Sequence, residues 1–161
     1  MSAFVTVGST SFDNLIRSVS SFDILNLLAS KGFEKIIFQI GRGSVIPESS
    51  TIIEIEWFRF KDDVTDYIKN ASLVIGHGGA GTILESLINR KPLISVLNEA
   101  LMDNHQGELA NQLAKEGYLK CCTCATLYNT LQDYFADKYF VPYISEPHMF
   151  SAFLEQVMGF V

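Results

Sequence analysis

The sequence predicts an α/β fold, a doubly wound, Rossmann-like parallel sheet with helices on both faces. Three observations carry that expectation. Apolar segments of strand length alternate along the chain with segments whose apolar residues recur at helical spacing. Several strand-like runs are apolar without alternation, the pattern of strands covered on both faces. The connections between them are mostly short, as in successive strand–helix–strand units.

The elements follow in order. AFVTVG at 3–8 reads as a buried strand, and the stretch 9–33 then carries apolar residues at helical spacing until Gly32 stops it. KIIFQIG at 35–41 is a second strand, and GRGSVIPESS at 41–50 is a polar loop rich in glycine. TIIEIEWF at 51–58 alternates as a strand does, KDDVTDYIKNA at 61–71 is helical, and LVIGH at 73–77 is a strand again. AGTILESLINR at 80–90 is a helix ending near Lys91-Pro92, and PLISVLN at 92–98 is the next strand. EALMDNHQ at 99–106 reads as a loop, GELANQLAKEG as a helix capped by Gly117, and YLKCC at 118–122 as a short strand.

The tail breaks the rhythm. FADKYFVPYISEP is aromatic with two prolines, and residues 148–161 then form a C-terminal helix with Phe150, Phe153, Leu154, Val157, Met158 and Val161 on one side. That side serves either to pack on the chain's own sheet or to dock on another subunit. No internal repeat or low-complexity tract interrupts the chain.

At 161 residues and 48% hydrophobic, the chain is expected to form one domain, 1–161, with a core of its own. Charged residues are 19% and the net charge is -6, which excludes a surface that neutralises many nucleic-acid phosphates. One diphosphate is still within reach, because backbone amides at a helix start hold anions without lysines. MSAFVTVGS enters a strand at once, so no signal peptide is expected. No apolar run approaches the roughly 18 to 20 residues that span a bilayer. The expectation is a soluble chain whose membrane attachment is borrowed from a partner. Cys121, Cys122 and Cys124 crowd into one segment, which suits reduced thiols rather than a disulfide framework. A zinc site would need a fourth ligand and usually a Cys-x-x-Cys spacing.

LVIGHGGAGTILE, at 73–85, concentrates the chemistry, and three readings compete for it. Gly76, Gly78 and Gly81 satisfy Gly-x-Gly-x-x-Gly, and Glu99 follows near the distance of a dinucleotide site's ribose acid. That fingerprint normally opens the first strand-to-helix unit, whereas here the first such turn is Gly8-Ser9-Thr10. In a second reading, Thr82 and Glu85 are a capping box and the glycines only let a helix pack on its strand. In the third, the open amides of Gly78, Gly79, Ala80, Gly81 and Thr82 hold a diphosphate, with the Thr82 hydroxyl and His77 as further donors. Glu85 lies one turn further on the same face and suits a vicinal diol. That arrangement describes a nucleoside diphosphate across a helix start and would stabilise the charge of a departing diphosphate.

His77-x-Gly79-x-x-Thr82-x-x-Glu85 resembles the donor-binding signature of two-domain (GT-B) nucleotide-sugar glycosyltransferases. Together with FVTVGSTSFDNLI, QIGRGSVIPE, LMDNHQGELANQL and FSAFLEQVMG, it is similar across nearly the whole chain to one group. That group is the UDP-N-acetylglucosamine-binding subunits of the two-subunit dolichol-pathway transferase, related to the C-terminal domain of glycosyltransferase family 28. The resemblance implies the C-terminal, donor half of a GT-B enzyme that adds the second GlcNAc to dolichyl-diphosphate-GlcNAc. It implies UDP-GlcNAc as donor and a membrane-anchored acceptor-side subunit that recruits the chain to the cytosolic face of the endoplasmic reticulum.

The same resemblance places further site residues. Gln106 and His105, in the loop after the fifth strand, would reach the sugar hydroxyls, although the related bacterial peptidoglycan glycosyltransferase of family 28 has glutamine where this chain has His105. The alternative for Asn104, His105 and Gln106 is a polar helix start capped by Asn104. Phe60 and Lys61 match positions that cover the uracil, with Lys61 replacing an apolar residue. Gly8, Ser9 and Thr10 form the first strand-to-helix turn, which either closes over a phosphate or serves only its helix. Arg42 either balances diphosphate charge or is solvated, and His148 is expected to be structural. No catalytic base is assigned to this chain, because attack on the anomeric carbon needs a group beside the acceptor hydroxyl. No cofactor or metal is expected, since no Asp-x-Asp cluster appears and helix amides offset the charge instead.

Overall fold

The computed structural model describes residues 1–99 and 105–143, with side chains from Gly107 onward in the second stretch. In chain order the elements are β1 (Ser2–Thr6), α1 (Asp13–Val19), α2 (Phe22–Ser30), β2 (Lys35–Gln39), β3 (Glu54–Phe58), α3 (Thr65–Asn70) and β4 (Leu73–Gly76). They continue with α4 (Ala80–Ile88), β5 (Leu93–Leu97), α5 (His105–Lys115), β6 (Lys120–Thr123), a 3-10 turn (Cys124–Thr126) and α6 (Leu127–Asp137).

The six strands form one sheet in the order β3-β2-β1-β4-β5-β6, and every pairing is parallel. The expected doubly wound architecture is therefore present. Strand order reverses between β1 and β4, so the turns that follow those two strands open the crevice where such sheets take ligands.

The pleat sends alternate residues of each central strand into two separate cores. Ala3 and Val5 of β1 join α1, α2 and α6 in one apolar layer, and Phe4 joins α3, α4 and α5 in the other. β4 divides the same way, with Leu73 and Ile75 on the first face and Val74 on the second. β3 closes one edge, and its Glu56 pairs with Lys35 of β2 at 2.7 Å.

The structure corrects several boundaries. The helical stretch at 9–33 is two helices, because Ser20 and Ser21 break it and the Ser21 side chain caps α2 by accepting from the Ile24 amide. β3 spans only part of the alternating run at 51–58. α5 begins at His105, inside the expected loop at 99–106. α6 has no counterpart among the expected elements, and it covers the first core with Leu127, Leu131, Tyr134 and Phe135. The expected helix at 148–161, His148 and Asn104 lie outside the described residues.

Candidate functional site

The candidate site is the start of α4. β4 ends in Gly76, and a side chain there would meet the Thr82 methyl at 3.1 Å, so strand end and helix start pack directly on each other. Gly78 has φ +87, a left-handed conformation that turns the chain into the helix, and Gly79 is the N-cap with no side-chain hydrogen bond. No cap side chain covers the first-turn amides of α4, which lie at the positive end of the helix dipole.

His77 explains the glycines around it. A Cβ at Gly79 would lie 2.5 Å from the imidazole Nε2, and one at Gly8 would lie 3.2 Å from its Cε1. The ring is therefore wedged between the β1 and β4 turns. Burial holds its pKa below the usual histidine value, against the Thr6 main chain, which favours the charged form. Nδ1 is buried without a hydrogen-bond partner among the described residues. Burial thus favours the neutral imidazole, so any contact with an anion would rest on an N–H dipole and not on a charge.

The capping-box reading is contradicted. α4 starts at Ala80, which puts Thr82 inside the first turn instead of at the cap. The Glu85 carboxylate turns to α3 and accepts from the Thr65 hydroxyl at 3.3 Å. The dinucleotide reading also loses its footing. Its third glycine normally lets helix and strand approach closely, whereas a Cβ at Gly81 would meet nothing within 4 Å. Glu99 sits instead with Phe12, Asn14 and Cys124 around a small pocket.

The β1 turn is held from below. Gly8 has φ +62, and its amide donates to the Thr6 hydroxyl, which in turn donates to the buried Gln39 side chain. Ser9 and Thr10 are exposed at the rim. The Thr10 carbonyl accepts from the Arg42 amide at 3.0 Å, and Gly41 has φ +59 where any side chain would collide with that carbonyl. Arg42 itself is exposed.

Two residues absent from the sequence reading fasten the neighbouring loop. Arg59 donates to the carbonyls of Gly41 and Gly43 at 3.3 and 2.9 Å, and the Asp13 carboxylate accepts from the Ser44 amide at 3.1 Å. Neither has a local motif. Their partners lie 16 to 31 residues away and meet them only after folding.

Phe60 and Lys61 lie between β3 and α3, and Phe60 is 56% exposed. The Lys61 ammonium sits over the rings of Phe58 and Tyr67, 5.0 and 5.6 Å from their centroids. It caps an aromatic cluster that continues to Phe4. The main chain of His105 and Gln106 opens α5, while their side chains lie outside the described residues. α5 begins close by: Cβ atoms at Gly107 and Gly78 would both contact Leu97, at 3.9 and 3.6 Å. The structure thus brings together Gly8, His77 to Thr82 and Glu85, with α5 starting nearby.

Among the described residues no group of three His, Cys, Asp or Glu converges as a metal site. The three cysteines are free, and burial pushes the Cys122 thiol up to about 12.

The comparisons with known proteins agree with this geometry. The glycosyltransferase family 28 C-terminal domain matches residues 2–152. The human UDP-N-acetylglucosamine transferase subunit ALG13 is 52% identical over 126 residues, which are 77% of this chain but only 11% of that protein. The NMR solution structure of ALG13 superposes with a TM-score of 0.74 at 26% identity, covering 98% of this chain and 96% of that one. Acinetobacter baumannii MurG shares the fold, with a TM-score of 0.66 at 18% identity, and the match covers 99% of this chain and 50% of MurG. The parallel sheet and its helices are those of the C-terminal domain of GT-B glycosyltransferases. With its family signature running almost end to end, the chain belongs to the glycosyltransferase family 28 C-terminal domain family.

Proposed function

We propose that this chain is the donor-binding subunit of a UDP-N-acetylglucosamine transferase that adds the second GlcNAc to dolichyl-diphosphate-GlcNAc in N-glycan precursor synthesis. The observation that carries the proposal is the uncapped start of α4 at the switch point, with Glu85 one turn along the same helix. The diphosphate of UDP-GlcNAc would lie against the amides of Ala80, Gly81 and Thr82, with His77 beside it. The ribose diol would meet Glu85, the uracil would lie toward Phe60, and the sugar would extend toward Gln106 at the start of α5. As the glycosidic bond to the diphosphate breaks, negative charge grows where these fixed dipoles point, and no solvent has to reorganise to meet it. Helix amides would serve here in place of a metal ion.

The reaction also needs a base at the acceptor hydroxyl and a site for a polyprenyl chain. We assign both to a membrane-anchored acceptor-side subunit, which would hold this chain at the cytosolic face of the endoplasmic reticulum. Two observations support the division: the human relative is itself named a transferase subunit, and no described helix is long and apolar enough to cross a membrane.

Calorimetric titration with UDP, UDP-GlcNAc and NADH tests the donor site. The proposal expects saturable UDP and UDP-GlcNAc binding; NADH binding without UDP binding would overturn it. Coexpression with a candidate membrane subunit tests the division of labour. GlcNAc transfer is expected only in the pair. Robust transfer by this chain alone would refute the partner, and UDP-GlcNAc binding without transfer in any pairing would leave a binding module without turnover.

A further inference from the structure

We infer that Thr65 is a positioning residue that orients the Glu85 carboxylate toward the ribose and so makes the site select nucleotides with an intact vicinal diol. The inference deepens the proposed function and rests on Glu85 being the ribose carboxylate. A half-buried glutamate on a helix has several open rotamers, and a diol is recognised well only if the carboxylate waits in the right one. Thr65 supplies that restraint from a different element. It is the first residue of α3, and its amide is tied to the Asp63 carboxylate at 2.8 Å, so its hydroxyl projects from a fixed backbone. That hydroxyl donates to Glu85 Oε1 at 3.3 Å.

The chemistry of the partner matters as much as its position. An arginine would engage both carboxylate oxygens and neutralise them. A threonine hydroxyl has one proton to give, so Oε2 and the net charge remain for the diol. No described cation forms a salt bridge with Glu85. Asp63 also draws on the Thr65 hydroxyl, and hydrogen bonds from Thr65 hold the Asp63 carboxyl below its usual range. The restraint is therefore that of one shared hydrogen bond.

The test compares UDP with 2′,3′-dideoxy-UDP, which lacks the diol, on the wild-type chain and on Thr65→Val and Thr65→Ser. Wild type is expected to prefer UDP by about tenfold or more, as a site built around a hydroxyl does. Thr65→Val is expected to weaken UDP roughly three- to tenfold, the worth of one hydrogen bond, and to leave the dideoxy compound unchanged. Thr65→Ser should restore the wild-type ratio. If Thr65→Val folds poorly by thermal unfolding, Thr65→Ala takes its place. A valine or alanine variant that keeps the wild-type ratio overturns the inference alone. A wild type that binds UDP but does not distinguish the two nucleotides overturns the ribose role of Glu85 and the inference with it, whereas one that binds neither overturns the donor-site reading beneath.

Discussion

α2 and α4 are helices of nine residues each, and each buries an apolar face against the same sheet from opposite sides. They differ at their first turn. α2 is completed by its own sequence: Ser21 accepts from the Ile24 amide at 3.4 Å, and Asp23 adds a carboxylate near the positive end of the dipole. α4 has glycine at the cap, no side-chain hydrogen bond there and no acidic residue in its first turn. A Ser or Asp cap would add only a few tenths of a kcal/mol to α4 over the glycine it has, but would occupy the amides an anion needs. The contrast is between a helix start capped by its own sequence and one whose cap carries no side chain, the one to which we assign a ligand.

The largest expected effect is at Gly79. A methyl group there would lie 2.5 Å from His77 Nε2, so Gly79→Ala must displace the imidazole. We expect UDP affinity to fall by about a hundredfold or more, with roughly 1–3 kcal/mol of stability lost to overpacking, read by calorimetry and denaturant unfolding. Wild-type binding in this variant would remove the special status of the α4 start. Next is Glu85→Ala, for which we expect UDP affinity to drop about 10- to 100-fold, the range for hydrogen bonds to a charged group. Its stability should stay within about 0.5 kcal/mol of wild type. Lost stability with unchanged UDP affinity would return Glu85 to a purely structural role.

Ser21→Ala is the counterpart on α2. It should cost about 1 kcal/mol in denaturant unfolding and leave UDP affinity alone, the reverse of Glu85→Ala. A smaller effect comes from His77. Its folded pKa is lowered, so the unfolded chain takes up the proton first. Its contribution is full above about pH 6.5, the ordinary histidine value, and is lost as pH falls from there toward the lower folded pKa. Melting temperatures across pH 7.5 to 5.5 should show that decline, and His77→Gln should flatten it.

The glycine turn and Glu85 were legible because they are contiguous, and a strand, a bend and a helix start leave a local signature. The capping-box alternative failed for a local reason too: Gly79 ends the strand turn early enough that α4 begins two residues before Thr82. The break at Ser20 and Ser21 was hidden because the apolar periodicity continues through it. α6 was visible in principle, since Leu127, Leu131, Tyr134 and Phe135 fall at helical spacing, but the cysteine cluster and the aromatic tail obscured it. Thr65, Arg59 and Asp13 were beyond sequence reading, because each acquires its role from a partner that folding brings close.

The most direct test is a UDP titration followed by amide chemical shifts in the ¹⁵N-labelled chain. The largest changes are predicted at the amides of Gly79, Ala80, Gly81 and Thr82, with the α2 start around Ser21 and Ile24 unmoved. Saturable binding whose shifts leave the α4 start untouched and cluster elsewhere would contradict the account.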